Sequence, residues 1–352
     1  MRLLAALTAV VAMQLVPGSG TPGDLVLSQF GMYLEALRNQ AGIPGLSAAI
    51  VGDQDIRWER GFGSQDLEQA VAASPDTLYH LDGLTQVMTA SLVLRCAEEG
   101  RLTVDDAVGL HDPFSPYAGA TIRQILTHTS GFSGSASFLY EPQRLSALQP
   151  IVRACTGNSY RETVSVLLAQ LGMMSSVPGQ DIVGLAPPAE GIPDAFEVER
   201  YAIALGRLAT PYAVDFGGAR FRSQYSAATL TPSGGLISTV RDLALLDLSL
   251  KNGVLLRPDS RAAGWQAPLD LNSRPLPHAL GWFVQGYRGE IVAWQFGLGD
   301  GASSSLIVTL PARGLTLILL ANSDGLAKPF GLHNGDLTTS PFGRVFLGLF
   351  VP

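Results

Sequence analysis

Apolar residues recur at helical spacing near the start of the chain, at Leu27, Phe30, Met32, Tyr33, Leu34 and Leu37, and the pattern stops near Gly42. A first helix is expected there. The period then changes. Residues 46–51 read as an apolar strand, Gly52-Asp53-Gln54-Asp55 as a turn, and residues 56–60 as a returning strand that ends at Gly61-Phe62-Gly63. Residues 77–90, TLYHLDGLTQVMTA, read as a short extended run entering a buried helix, with Asp82 as its N-cap and Gly100 as its stop. From there to about residue 250 the pattern is mostly helical. Residues 178–231 are rich in Pro, Gly and Ala and read as a loop-heavy insertion of the kind that covers clefts. Helix 240–250 follows, with Ser238 as the expected cap. Strands return at 280–285, 291–295, 304–308 and 315–321, separated by tight turns such as Tyr287-Arg288-Gly289-Glu290, and an amphipathic helix closes the chain at 341–350. Strands at both ends with helices between predict an α+β fold. One antiparallel sheet is built from both termini and flanked by helices, beside a mostly helical lobe over about 82–250, with a site between the two.

The chain has 352 residues, 47% hydrophobic and 15% charged, with a formal net charge of −7. That length carries a large core. The acidic balance and the absence of a basic block argue against nucleic acid as a partner. Met1-Arg2, an apolar run over 3–16 and Pro17-Gly18-Ser19-Gly20 read as a secretory signal peptide over about 1–20, cleaved near Gly20, ahead of a domain over 24–352. An uncleaved anchor is the alternative, although the run is short for a membrane span. No other span of membrane length follows, so a secreted or periplasmic location is expected. Cys96 and Cys155 are the only cysteines. Both sit in apolar helical patterns, where a free cysteine is a small buried hydrophobe, and an exported chain could also pair them. Lysine occurs only at 251 and 328. Lys251 follows a surface-type helix by pattern, and Lys328 lies in a loop past the last strand.

Several stretches resemble the β-lactamase-related serine hydrolases, the group of class C β-lactamases, DD-peptidases, penicillin-binding proteins and related esterases. The most specific are residues 121–132, TIRQILTHTSGF, and 311–324, PARGLTLILLANSD. Residues 98–106, EEGRLTVDD, the Gly61-Phe62-Gly63 turn and the stretch from Thr156-Gly157-Asn158-Ser159-Tyr160 to Leu171-Gly172-Met173 add to the likeness, which covers roughly 26–350. The resemblance implies the family's mixed sheet-and-helix fold and an acyl-enzyme mechanism. That chemistry needs a serine with a lysine one helical turn on, a tyrosine to relay the proton, a cationic or hydrogen-bonding strand residue, and backbone N–H groups for the oxyanion. At the Ser-x-x-Lys position this chain has Gly83-Leu84-Thr85-Gln86. At Tyr-x-Asn it has Tyr140-Glu141-Pro142. At the Lys-Thr-Gly or His-x-Gly position it has Gln295-Phe296-Gly297. Gly83 has no nucleophile, Gln86 no basic lone pair, Pro142 no donor, and Gln295 replaces a cation. His128, by the resemblance, belongs to a scaffold helix and turn.

The chemistry therefore predicts a catalytically impaired scaffold. Its helix N-terminus and glycine strand edge could still hold a carboxylate, such as the end of a cell-wall peptide, without reaction. A small-molecule or peptide ligand is the expected partner, and no cofactor or metal is expected. The competing expectation is an active hydrolase with a relocated nucleophile, for which Thr85, Ser130 and Ser303 are the candidates and His80 the nearest imidazole. Each also reads as structural: Thr85 in a first turn, Ser130 in a turn, Ser303 at a strand start, His80 just outside the core. A third reading is a binding protein that assembles with a partner chain. Gly83 and Gly297 are expected to face each other across one cleft, with Tyr140 at its rim.

Overall fold

The computed structural model describes residues 22–130, 137–184, 195–226 and 229–352. The expected leader, residues 131–136, and residues 185–194 and 227–228 of the insertion lie outside them. The strands are β1 (Gly45–Val51), β2 (Ile56–Asp66), β3 (Val71–Ala72), β4 (Tyr79–His80), β5 (Val177–Pro178), β6 (Tyr212–Val214), β7 (Arg220–Arg222), β8 (Leu236–Ser238), β9 (Phe283–Tyr287), β10 (Glu290–Gly299), β11 (Ser303–Leu310) and β12 (Leu315–Ala321). The helices are α1 (Pro22–Gln40), α2 (Thr85–Glu98), α3 (Ile122–Leu126), α4 (Gln149–Thr156), α5 (Tyr160–Gln170), α6 (Ala195–Leu205), α7 (Val240–Lys251), α8 (Pro258–Gly264) and α9 (Pro341–Phe350).

The two chain ends meet in one sheet of order β3-β2-β1-β12-β11-β10-β9, with antiparallel neighbours throughout. Its central strands are apolar on both faces, because each face is covered. Alternate residues go to opposite sides. Ile318 and Leu320 join the core formed with α2 and α7, while Leu317, Leu319 and Ala321 join Phe30, Phe342 and Phe346 under α1 and α9. The β9–β10 hairpin closes through Arg288 and Gly289, both with positive φ as a two-residue turn requires.

Several boundaries differ from the pattern-based expectation. Gly61 and Gly63 do not end β2, which runs on to Asp66. A Cβ at Gly61 would lie 2.0 Å from the Ala73 carbonyl oxygen, so the missing side chain admits a neighbouring backbone rather than stopping the strand. β9 starts at Phe283, not 280, because Gly281 takes φ +81° and packs where a Cβ would come within 2.4 Å of Ala90 on α2. β10 continues past Gln295 to Gly299. The cap of α7 is Thr239, whose hydroxyl accepts from Asp242 N at 3.0 Å; Ser238 sits on β8 and bonds Ser176 instead.

Two ties join the helical lobe to itself and to the sheet. Cys96 on α2 and Cys155 on α4 form a disulfide. Lys251, only 11% exposed, pairs with Asp247 and donates to the carbonyls of Val51, Gly52 and Gly314. Its helix is not of the surface type, because this partly buried lysine bolts the last turn to the β1 end and to the turn before β12. Among the described residues no helix is long and apolar enough to cross a membrane.

The disulfide closes a loop with a sequence separation of 59. Removing it by Cys96→Ser with Cys155→Ser is expected to cost about 2–4 kcal/mol, through the added freedom of the unfolded chain. Urea unfolding followed by tryptophan fluorescence reads this as a lower midpoint with a steeper slope, because the unlinked unfolded chain exposes more surface.

Candidate functional site

The site is built where the entry to α2 lies across β10. β4 leads into it, pairing with β8 through Tyr79↔Ser238 and His80↔Ile237. The Leu81 carbonyl then accepts from Ser305 Oγ at 2.7 Å and rests on Gly297, where a Cβ would approach it to 2.0 Å. Asp82 takes φ +49°, and residues Asp82–Leu84 form a single 3-10 turn before α2 begins at Thr85. Asp82 is therefore not the N-cap of α2. Leu84 holds that position without a side-chain bond, and the Asp82 carboxylate goes to the sheet, where Oδ2 accepts from Ser303 Oγ at 2.7 Å. Gly299 makes room for it, since a Cβ there would lie 2.9 and 3.0 Å from the two carboxylate oxygens. Burial raises the Asp82 pKa to about 6.

A cleft of about 370 Å³ opens beside this turn, walled by Asp82, Gly83, Tyr140, Ser233, Phe296 and Leu298 among others. Pro142 and Gln143 extend the Tyr140 side, and Ser226, Thr231, Gly234 and His333 complete the lining. Gly83 lines the cleft but Gly297 does not; it is buried beneath Leu81. The two glycines thus lie on touching segments rather than facing each other across open space, because the turn packs directly on the strand. A Cβ at Gly83 would come 2.9 Å from the Phe296 carbonyl oxygen, 3.2 Å from the Tyr140 hydroxyl and 3.3 Å from Gln86 Nε2.

Behind Gly83 runs a network of neutral groups. His128 Nδ1 accepts from Glu141 N at 3.2 Å, so Nε2 carries the proton and donates to Gln86 Oε1 at 3.0 Å. Gln86 Nε2 donates to the Tyr140 hydroxyl at 2.8 Å, and that hydroxyl points to Gln295 Oε1 at 3.5 Å. Gln295 Nε2 donates to Gly281 O at 3.1 Å and faces His278 Nε2 at 3.3 Å, while His278 Nδ1 donates to Ala279 O at 2.8 Å. The rings of His128 and His278 stand edge to face at 4.6 Å. Burial holds both histidines neutral, His128 well below its ordinary value and His278 at about 3. Each lies near the other, so a charge on one also disfavours a charge on His128. Burial pushes the Tyr140 phenol upward.

The other candidates lie elsewhere. Thr85 is buried, and its hydroxyl accepts from Leu236 N at 3.4 Å. Ser303 is buried and donates to Asp82. Ser130 is buried at the edge of the described residues. His80 is not outside the core: it is 1% exposed on β4, stacked on Tyr225 at 4.0 Å, and burial lowers it to about 4. His278 and Asp82 were not read from the sequence as site residues. His278 lies in a stretch without helical or strand periodicity, and Asp82 carried an N-cap pattern that fitted a structural role.

This fold is that of a β-lactamase-like serine-hydrolase scaffold. A family-wide profile described as Beta-lactamase matches residues 32–336, and the chain belongs to that family. Protein flp of Staphylococcus aureus (strain NCTC 8325 / PS 47) is 40% identical over 109 residues, 29% of this chain and 22% of that protein. The matched region thus spans under a quarter of that relative. In fold, the chain is similar to the octameric penicillin-binding protein homologue from Pyrococcus abyssi, with a TM-score of 0.72 and 19% identity over 91% of this chain and 77% of that one. It is also similar to the class C beta lactamase from Rhodobacter sphaeroides, with a TM-score of 0.64 and 18% identity over 84% and 94%.

The histidine pair sets an acid limit. Folded-state values below the ordinary 6.5 mean that the unfolded chain binds protons first, so stability is full above pH 6.5 and falls as pH drops toward about 3. Asp82, raised from 3.8 to about 6, acts with opposite sign and favours the folded state as it protonates. His278→Gln is expected to flatten the fall in unfolding free energy between pH 6.5 and about 3, measured by urea titrations across that range.

Proposed function

We infer that this protein is an exported, non-hydrolysing member of its family that holds a small polar or peptide ligand noncovalently in the cleft. One observation carries the reading. The position of the expected base is Gln86, an amide held between His128 and Tyr140, and the position of the expected nucleophile is Gly83. Forming an acyl-enzyme needs a hydroxyl or thiol and a group that takes its proton. An amide does not take a proton near neutral pH, and the two histidines behind it are held neutral by burial. What remains is a walled cleft with polar groups around it, which suits binding. Export is supported by the apolar run at the N-terminus and by the Cys96–Cys155 disulfide, a bond at home in oxidising compartments.

Incubation with a penicillin-type acylating probe is expected to leave the intact mass unchanged, with negligible turnover of a chromogenic β-lactam or short ester. A stoichiometric adduct mapped to Thr85, Ser130, Ser303 or any other residue overturns the reading and identifies a relocated nucleophile. Gly83→Ser with Gln86→Lys is expected to label weakly at best. The new Cβ meets the Phe296 carbonyl oxygen, and Pro142 and Gln295 still lack the relay and the cation; such groups act as a unit.

Export has its own check. The mature protein is expected to begin near residue 21 by N-terminal sequencing. A product that starts at Met1 and sediments with membranes replaces a cleaved leader with an anchor.

A further inference from the structure

We propose that the cleft takes a neutral saccharide, a small pyranose sugar held by side-chain hydrogen bonds. The inference rests on the noncovalent reading above and narrows its ligand class.

The first support is the charge of the lining. No lysine or arginine lines the cleft among the described residues. The internal segments outside the description, 131–136, 185–194 and 227–228, contain none either. Asp82 is the one carboxylate in the lining, and it belongs to the sheet. Its Oδ2 accepts from Ser303 Oγ, and Gly299 lies against both oxygens. A charged ligand leaving water therefore meets no fixed opposite charge to offset its desolvation. A neutral ligand carries no such cost.

The second support is what the walls offer instead. Gln143, Ser226 and His333 are exposed in the lining, and none has a side-chain hydrogen bond to another described residue. Thr231 and Ser233 add two hydroxyls, 3.1 Å apart. Amide, hydroxyl and imidazole side chains can both donate and accept, and so can sugar hydroxyls. Pro142 and Leu298 supply apolar surface for the C–H face of a pyranose ring. At about 370 Å³ the cleft lies near the lower end of small-molecule sites, which suits a short saccharide.

The third support is that the backbone mode of binding a peptide is blocked. β9 pairs with β10 only as far as Trp294, so β10 beyond that point has no strand neighbour on that side. A peptide would add there by main-chain pairing. At Phe296 that place is already filled. Its N–H donates to Gln295 Oε1 at 2.9 Å, and its carbonyl oxygen lies 2.9 Å from where a Cβ on Gly83 would stand. Recognition is left to side chains.

Titration calorimetry and protein NMR with cellobiose, maltose, lactose and N,N′-diacetylchitobiose are expected to show at least one sugar binding with a Kd of about 1 mM or tighter. Three peptide probes are expected to bind about tenfold more weakly than the best sugar, or less: the neutral N-acetyl-alanyl-alaninamide, the cationic alanyl-alaninamide and the anionic N-acetyl-alanyl-alanine. Sugar-induced shifts should centre on residues 143, 226, 233 and 333. Combining Gln143→Ala, Ser226→Ala and His333→Ala changes only exposed side chains and is expected to weaken the best sugar by about tenfold or more. The proposal is overturned if none of the sugars binds, if a peptide probe matches the best sugar, or if the shifts fall away from the cleft. A folded triple variant with unchanged affinity overturns it as well. A peptide that binds where the sugars do not removes this inference and leaves the noncovalent reading standing. The intact-mass experiment alone judges whether the chain acylates.

Discussion

The contact of Leu81 with Gly297 is the joint on which the site depends. It brings a carbonyl down onto a strand at a point where any side chain would collide with it, and Ser305 holds the carbonyl there. Everything nearby follows from that closeness. The 3-10 turn must form within three residues, Gly83 must lie against the Phe296 carbonyl, and the Asp82 side chain must find room over Gly299. At this joint the entry to α2 and the sheet thus meet through backbone, with little side-chain slack between them.

Behind the joint, polar groups are arranged in donor-to-acceptor order from His128 through Gln86, Tyr140 and Gln295 toward His278. Two amides, a phenol and two neutral imidazoles satisfy one another inside a box that includes Phe138, Phe283 and Phe296. An unpaired polar group in such a place costs more than a paired one contributes. The network therefore stabilises the lobe contact as a whole. Proton transfer would need a member that changes charge near neutral pH, and burial has moved each titratable member away from that range.

Much of the fold was legible in the sequence because the physical signals were local. Alternating and continuous apolar runs marked β1, β11 and β12, and helical spacing marked α1, α7 and α9. The misreadings share a cause. Gly61 reads as a strand end and Gly281 as part of a strand, yet both are there so that another segment can come close. Asp82 looks like a cap and Ser238 like another, but each bonds a residue distant in sequence, Ser303 and Ser176. Positions 83, 86, 142 and 295 were readable as substituted motif positions and 140 and 297 as retained ones. The partnership of Gln86 with His128 and of Gln295 with His278 was not, because those pairs meet only through the fold.

The Cys96–Cys155 bond has a meaning for the cleft beyond stability. The loop it closes carries His128, Tyr140 and Pro142, and the helix it returns to carries Gln86. The segment that carries the Tyr140 wall of the cleft is thereby covalently tied to the helix that carries Gln86, so two neighbours in the buried network behind the cleft belong to one cross-linked unit.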